Sequence, residues 1–383
     1  MMPSFAGSRF GRLGGGEPVE GLNALYSGGW SGRGADGDRV NYHAAWFREG
    51  SVDGFTAKVR RKHLAKVDLQ VGEAVDGRRV QAEVSPHLPD GELVFGFTDM
   101  RGDLPFKSTE YILDNGVKWS MRTWQVSGDS QDSVFENFLM RMPRIWKAGH
   151  TYQERFNVGV FGPALAGTGQ LGPARGFPGV ARTGNTVRAY VPLFGDGAGH
   201  WGTSNTTAVT SRLEANGKEI ADDYGIPPTD GVTEYTVPAE DTAYRLTVDN
   251  SRDPAVYPVS TRVRAEWTFR SAKTPEDEFT SLPLSTVRFS PDLTLAGTAK
   301  AGKPFEVPFT VEGAAAGQRP AELAFQVSYD EGRTWQPARS VGGTHLSLKH
   351  PATAGSVSLR AELTDRAGNT LTQTIERAYL TTL

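Results

Sequence analysis

Cysteine is absent from the 383-residue chain. That removes disulfides, thiolate zinc sites, iron–sulfur clusters and cysteine nucleophiles in one step. Long apolar runs are missing as well. None approaches the ~20 residues that a spanning helix requires, so no membrane span is expected. Nor does one sign of charge dominate: Lys+Arg 41 against Asp+Glu 44 leaves −3, which argues against an electrostatic nucleic-acid binder. Met1 to Gly16 contains Arg9 and Arg12 but no apolar core of about 7–15 residues, so no secretory signal is readable. Either the protein stays inside the cell or the chain starts downstream of its true beginning. Helical periodicity is scarce too, and only His63 to Leu69 and Val134 to Met142 could form short helices, with loops as the alternative for both.

What is present is turn chemistry. Glycine (45) and proline (23) make about 18% of the 383 residues, against roughly 12% in an average protein. Between the turns runs period-2 alternation, the pattern of half-buried strands. Val263, Ala265, Trp267 and Phe269 fall on one face of 261–270, with Arg262, Arg264 and Glu266 on the other. Leu323, Phe325 and Val327 alternate in the same way, as do Val357, Leu359, Ala361 and Leu363, and Val187, Ala189, Val191 and Leu193. Asp114-Asn115-Gly116, Gly195-Asp196-Gly197, Asn216-Gly217 and Glu331-Gly332 punctuate the runs as turns. Strands spaced about every 8–12 residues without intervening helices point to an all-β chain of sandwiches, fibronectin- or immunoglobulin-like. Composition sets the boundaries: a Gly-rich lead-in over 1–40, then modules at 41–163, 164–272 and 283–383. Between the last two lies a polar, charged linker at 271–284.

Few motifs offer chemistry. Gly202-Thr203-Ser204 has the sequence that introduces the nucleophile of subtilisin-type peptidases. A serine nucleophile needs a base and an orienting carboxylate, yet polar Asn205-Thr206-Thr207 follow where that family opens a buried helix. Ser328 to Trp335 matches the Asp-box, a hairpin marker in which Asp330 caps a tight turn, Gly332 supplies positive φ and Trp335 packs back. The seven histidines contain no pair at the i, i+4 spacing of a zinc helix. Structural calcium could sit on the acidic turns Asp36-Gly37-Asp38 or Asp129-Ser130-Gln131-Asp132, although neither completes an EF-hand loop. Asp114, Asp196 and Asp365 read as turn residues capping their own backbones. Arg101-Gly102-Asp103 is a three-residue match close to chance, and Arg60-Arg61-Lys62-His63 reads as a solvated basic face. For a carbohydrate ligand the candidates are Trp124 and Trp146, since nearby Trp119 alternates with Val117 and Met121 on an apolar strand face.

Longer strings carry a family resemblance. They are Thr109 to Ser120 (TEYILDNGVKWS), Phe156 to Pro163 (FNVGVFGP) and Pro192 to His200 (PLFGDGAGH). Further on come Tyr244-Arg245-Leu246, Ser260 to Val263, Trp267 to Ser271, Leu282 to Phe289, Val357 to Ala361 and Asp365 to Asn369. In this order, from about Trp46 onward, the chain resembles the C-terminal non-catalytic region of large secreted subtilisin-like serine peptidases of actinobacteria. The resemblance implies β-sandwich modules trailing an extracellular protease. Their expected partners are the catalytic domain or a protein substrate. It also implies that the triad lies in a domain absent from this chain, so no catalytic residue carries over. A free-standing carbohydrate- or cell-wall-binding sandwich is the alternative.

Overall fold

The computed structural model describes residues 5–6, 23–34, 38–49, 56–89, 97–128, 132–165, 178–222 and 232–383. Among them the chain forms strands joined by turns, with one 3₁₀ turn at Arg61–His63 and no α-helix. Both segments that could have been short helices are strands, Leu64–Val71 and Val134–Arg144. In the first, buried Ala65, Val67, Leu69 and Val71 alternate with Lys66, Asp68 and Gln70, a period of two that its short length left ambiguous.

The described residues fall into two compact units. The first takes the chain up to Val71, then Arg79–Val126 and Met140–Phe156. It contains β1 (Asn23–Arg33), β2 (Arg39–Glu49), β3 (Leu64–Val71), β4 (Arg79–His87), β5 (Phe97–Asp103), β6 (Phe106–Leu113), β7 (Lys118–Ser127), the end of β8 (Val134–Arg144) and β9 (Thr151–Phe156). One sheet has the order β9-β3-β6-β2-β1 and the other β8-β7-β4-β5. They face each other across His43 and Trp119, whose rings lie 6.2 Å apart, edge to face. The Asp114-Asn115-Gly116 turn joins β6 to β7, with Gly116 at φ +89 where a side chain would be strained. Asn115 ties the turn to Ala45 O at 2.7 Å.

The second unit takes Gly72–Arg78, Ser127–Leu139 and everything from Asn157. Its strands are β10 (Gly179–Thr183), β11 (Thr186–Tyr190), β12 (Trp201–Ser204), β13 (Ala208–Ala215), β14 (Lys218–Ile220), β15 (Val232–Thr236), β16 (Thr242–Ser251) and β17 (Arg262–Ser271). They are followed by β18 (Ser285–Phe289), β19 (Pro304–Gly313), β20 (Glu322–Ser328), β21 (His345–Lys349), β22 (Gly355–Thr364) and β23 (Thr370–Thr382). A long sheet runs β14-β13-β16-β17-β23-β22-β20. One half packs on the β15-β11-β10 sheet, where Tyr235 meets Ser211 at 3.1 Å. The other half packs on β18-β19-β21, where Phe325 lies 4.6 Å from Phe309 and 6.0 Å from Phe289.

This continuous sheet differs from the expected modules at 164–272 and 283–383. Residues Arg262 to Thr268 of β17 pair antiparallel with Glu376 to Thr370 of β23, so the two stretches share one sheet and one unit. Trp267 also reaches across the 271–284 segment and donates to Ser285 O at 2.6 Å. Composition marked that segment as a linker because it is polar, but strand pairing is set by partners more than 100 residues away, which local composition does not report. The expected alternations themselves are present. Val263, Ala265, Trp267 and Phe269 are buried, as are Phe325, Val327, Val357, Leu359, Ala361 and Leu363.

Candidate functional site

The Gly202-Thr203-Ser204 stretch lies in strand β12, and the turn before it fixes Asp196 and His200. The Asp196 carboxylate accepts the backbone N–H groups of Asn157 (3.2 Å), Ala198 (3.1 Å) and His200 (3.1 Å), together with the His200 ring Nδ1–H at 2.8 Å. Both side chains are fully enclosed. A carboxylate that satisfies three backbone donors is a turn lock. Gly202 lets β12 approach its neighbour, since a Cβ there would lie 2.2 Å from Phe138 O.

Ser204 donates its hydroxyl proton to Asn137 Oδ1. A carboxamide oxygen is no base, so the serine gains no nucleophilicity from this contact. Its oxygen in turn accepts from Arg252 Nη1 at 3.4 Å. Arg252 is itself buried inside three rings, 4.6 Å from Phe161, 4.6 Å from Phe194 and 4.8 Å from Tyr257. Nε and Nη2 both donate to Val259 O, at 3.2 and 2.6 Å. Burial pushes the guanidinium pKa down to about 9, which leaves it a cation at neutral pH. The same burial raises the pKa of Tyr257, whose hydroxyl donates to Asn157 O at 2.6 Å. Beside the cage, Ser204, Ser211, Leu193, Phe194, Val248 and Asn250 line a cavity of about 80 Å³. That is room for a few water molecules, one of which could satisfy the buried, unpaired Asn250 Oδ1. It is well below the ~300 Å³ of a ligand pocket. The cluster holds strands and turns together.

The aromatic candidates separate. Trp146 is buried, with its N–H toward Trp119 O at 3.4 Å, Arg144 stacked 4.7 Å over the ring and Tyr152 edge-on at 5.0 Å. That ring offers no face to a sugar, contrary to the sequence expectation. Residue 146 lies just past β8 in non-strand backbone, where alternation gives no guide to burial. Trp119 is core, as its spacing suggested. Trp124 is half-buried on β7 opposite Gln81 of β4. It shares its sheet face with Ser120 and Arg122 and, on β4, with Glu83, Ser85 and His87. There His87 Nε2 meets Ser120 Oγ at 2.9 Å, Ser85 donates to Glu83, and Arg122 Nη2 lies 3.7 Å from Glu83. Burial lowers the Arg122 pKa, opposed by Glu83. A second enclosed cluster centres on Glu110, which accepts from Asn41 (2.9 Å), His43 (2.7 Å) and Ser108 (2.5 Å). Sequence reasoning missed both clusters. Polar residues at every second position of a strand read as a solvated face. The signal that could have found them is a histidine and a glutamate spaced by two or four on one strand face, as Glu83 and His87, or set on paired strands, as His43 and Glu110.

The Asp-box forms as expected. Asp330 accepts Thr334 N–H at 2.9 Å and the Thr334 hydroxyl at 2.6 Å, Gly332 has φ +83, and Trp335 Nε1 donates to Gly332 O at 3.0 Å. These contacts pull the Asp330 pKa down to about 2. Asp365 caps Ala367 and Asn369, and Asp114 accepts from Ala148 N–H at 2.9 Å. Among the described residues no three His, Asp or Glu side chains are grouped to hold a metal. Of the calcium candidates, Asp36, Gly37, Asp129, Ser130 and Gln131 lie outside the described residues, as does the Arg101 side chain of the Arg-Gly-Asp match.

No family model and no curated protein matches the chain. Solved structures resemble it, among them these three. Domains A168–A170 of titin share 11% identity over 83% of this chain and 97% of that one, at a TM-score of 0.18. Domains 3–5 of the Drosophila OTK extracellular region share 11% over 81% and 91%, at 0.17. The Bacteroides ovatus mixed-linkage glucan utilization protein SGBP-B, in complex with a heptasaccharide, shares 13% over 81% and 65%, at 0.14. Among the described residues the fold is all-β, built of sheets packed face to face.

Proposed function

We propose that the chain is a non-catalytic accessory region of a secreted, subtilisin-like serine peptidase, stabilising or spacing the catalytic domain or recruiting its protein substrate. The observation that carries this reading is the fate of His200 and Ser204. Ser204 matches a peptidase signature in sequence, and both it and the nearby His200 are consumed by structural contacts, Ser204 with Asn137 and Arg252 and His200 with Asp196. The strings behind the resemblance support the same reading. Asp196 and Asp365 lock their own turns, Asp114 ties its turn to Ala148, and Trp267 and Val287 sit in the core. Shared residues of that kind mark a shared scaffold rather than shared chemistry. Extracellular location and the peptidase partner follow from the resemblance.

The test is to join this chain to the C-terminus of a subtilisin-like catalytic domain and follow thermal inactivation. A half-life extended several-fold, or a changed preference among protein substrates, supports the reading. A fusion indistinguishable from the isolated catalytic domain in both respects counts against it. A second reading, a carbohydrate-binding sandwich, is favoured by an aromatic row in the first unit that ends on the exposed Trp30.

A further inference from the structure

Trp30 is the tryptophan that the first unit leaves open, at 44% exposure on the edge strand β1. Its six-membered ring fills the space beside Gly32 on the same sheet face, where a Cβ would come within 2.6 Å of Cη2. Register places Trp30 opposite Tyr42 of β2, Tyr42 opposite Tyr111 of β6, and Tyr111 opposite Lys66 of β3. The rings follow that register: Trp30 and Tyr42 are 5.3 Å apart, and Tyr42 and Tyr111 are stacked at 5.0 Å. Both tyrosines are partly buried and rest on Ala44, Leu64 and Leu113, so the row is anchored. At its far end Arg61 lies 5.8 Å over Tyr111 and donates to the Tyr111 hydroxyl at 3.4 Å. Arg60, Arg61 and Lys62 are exposed together at this 3₁₀ turn, and Lys66 holds Asp68 at 2.8 Å.

We infer that this row binds an acidic polysaccharide, a chain whose sugars carry carboxylate or phosphate groups. An exposed indole supplies an apolar face for sugar C–H groups, and tyrosine hydroxyls supply hydrogen bonds along the row. The cationic turn selects for negative charge, since guanidinium groups pair with carboxylate and phosphate oxygens. The basic segment 60–63, which reads from sequence as a solvated face, thereby gains a partner. This inference rests on the carbohydrate-binding reading and is independent of any peptidase.

Affinity electrophoresis of the full chain tests it, with polygalacturonate, wall teichoic acid or neutral laminarin in the gel. Retardation by one or both anionic polymers, and not by laminarin, is expected; which polymer acts tells carboxylate from phosphate. Trp30→Ala should weaken retardation about tenfold, the equivalent of one stacking contact. Arg61→Glu should weaken it too, and raising salt to about 1 M should do the same by screening. Trp30 is exposed, so an unchanged circular dichroism spectrum certifies that the variant is folded. Absence of retardation by either anionic polymer, equal retardation by laminarin, or full binding by folded Trp30→Ala would overturn the inference. Loss of binding here with a stabilised peptidase fusion would leave the accessory role standing.

Discussion

Replacing Arg252 probes the enclosed cage of the second unit. The guanidinium's partners are neutral: Val259 O, Asn137 Oδ1, Ser204 Oγ and three ring faces. Hydrogen bonds from a charged group contribute about 1.5–3 kcal/mol, and leaving a buried carbonyl unpaired costs about 1–3 kcal/mol. Each buried cation–π contact adds on the order of 1 kcal/mol. Against these stands the desolvation of the cation, several kcal/mol, which any substitution relieves. Arg252→Met keeps the apolar stem and so should cost about 2 kcal/mol. Arg252→Ala adds a cavity and should cost about 4 kcal/mol, a large share of the roughly 5–15 kcal/mol that hold a typical fold together. Ser204→Ala, by contrast, loses one ordinary hydrogen bond, about 1 kcal/mol. Urea unfolding followed by tryptophan fluorescence would measure all three. Should Arg252→Met match or exceed the parent's stability, the cage would not offset desolvation and its structural role would fail.

Gln373 is fully buried and replaces a strand neighbour for Val287, accepting its N–H at 3.1 Å and donating to its carbonyl at 2.7 Å. Gln373→Leu should therefore cost about 2–4 kcal/mol in the same unfolding assay, through two orphaned backbone groups. Trp146→Ala should destabilise by about 3–5 kcal/mol, as a core residue does, and leave glycan retardation of any folded fraction unchanged. His350 is held between Lys300 O and Tyr379 Oη, and burial lowers its pKa from 6.5. The unfolded chain then binds the proton more readily, so this stability is complete above pH 6.5 and is lost as pH falls below it. Melting temperatures measured from pH 8 down to about pH 5 should fall less steeply for His350→Asn than for the parent. Asp330, lowered to about 2 from 3.8, contributes in the same sense at lower pH. That contribution is full above 3.8 and lost as pH falls toward 2, and Asp330→Asn should remove the dependence.

Fold class was legible because alternation is local. Val263 to Phe269 or Val357 to Leu363 need only their own spacing to declare a strand, and the Asp-box needs only eight residues to declare its turn. Pairing is not local, which is why the shared β17–β23 ladder did not show. Leu64–Val71 and Val134–Arg144 were ambiguous because each is short and flanked by polar residues that suit either period. The site was less legible still. Gly202-Thr203-Ser204 drew attention to Ser204, but its partners Asn137 and Arg252 lie 67 and 48 residues away in sequence. Trp30 stands in a Gly-Ser-rich stretch that reads as a lead-in, yet the register with Tyr42 and Tyr111 gives it a face. Trp146 looked available and is enclosed.

The most direct test of a structural, non-catalytic Ser204 is intact-mass analysis of the folded chain after incubation with a fluorophosphonate. No adduct is predicted, and Ser204→Ala should change only the unfolding midpoint. One phosphonyl group per chain, mapped to Ser204 and abolished by His200→Ala in a folded variant, would contradict the account.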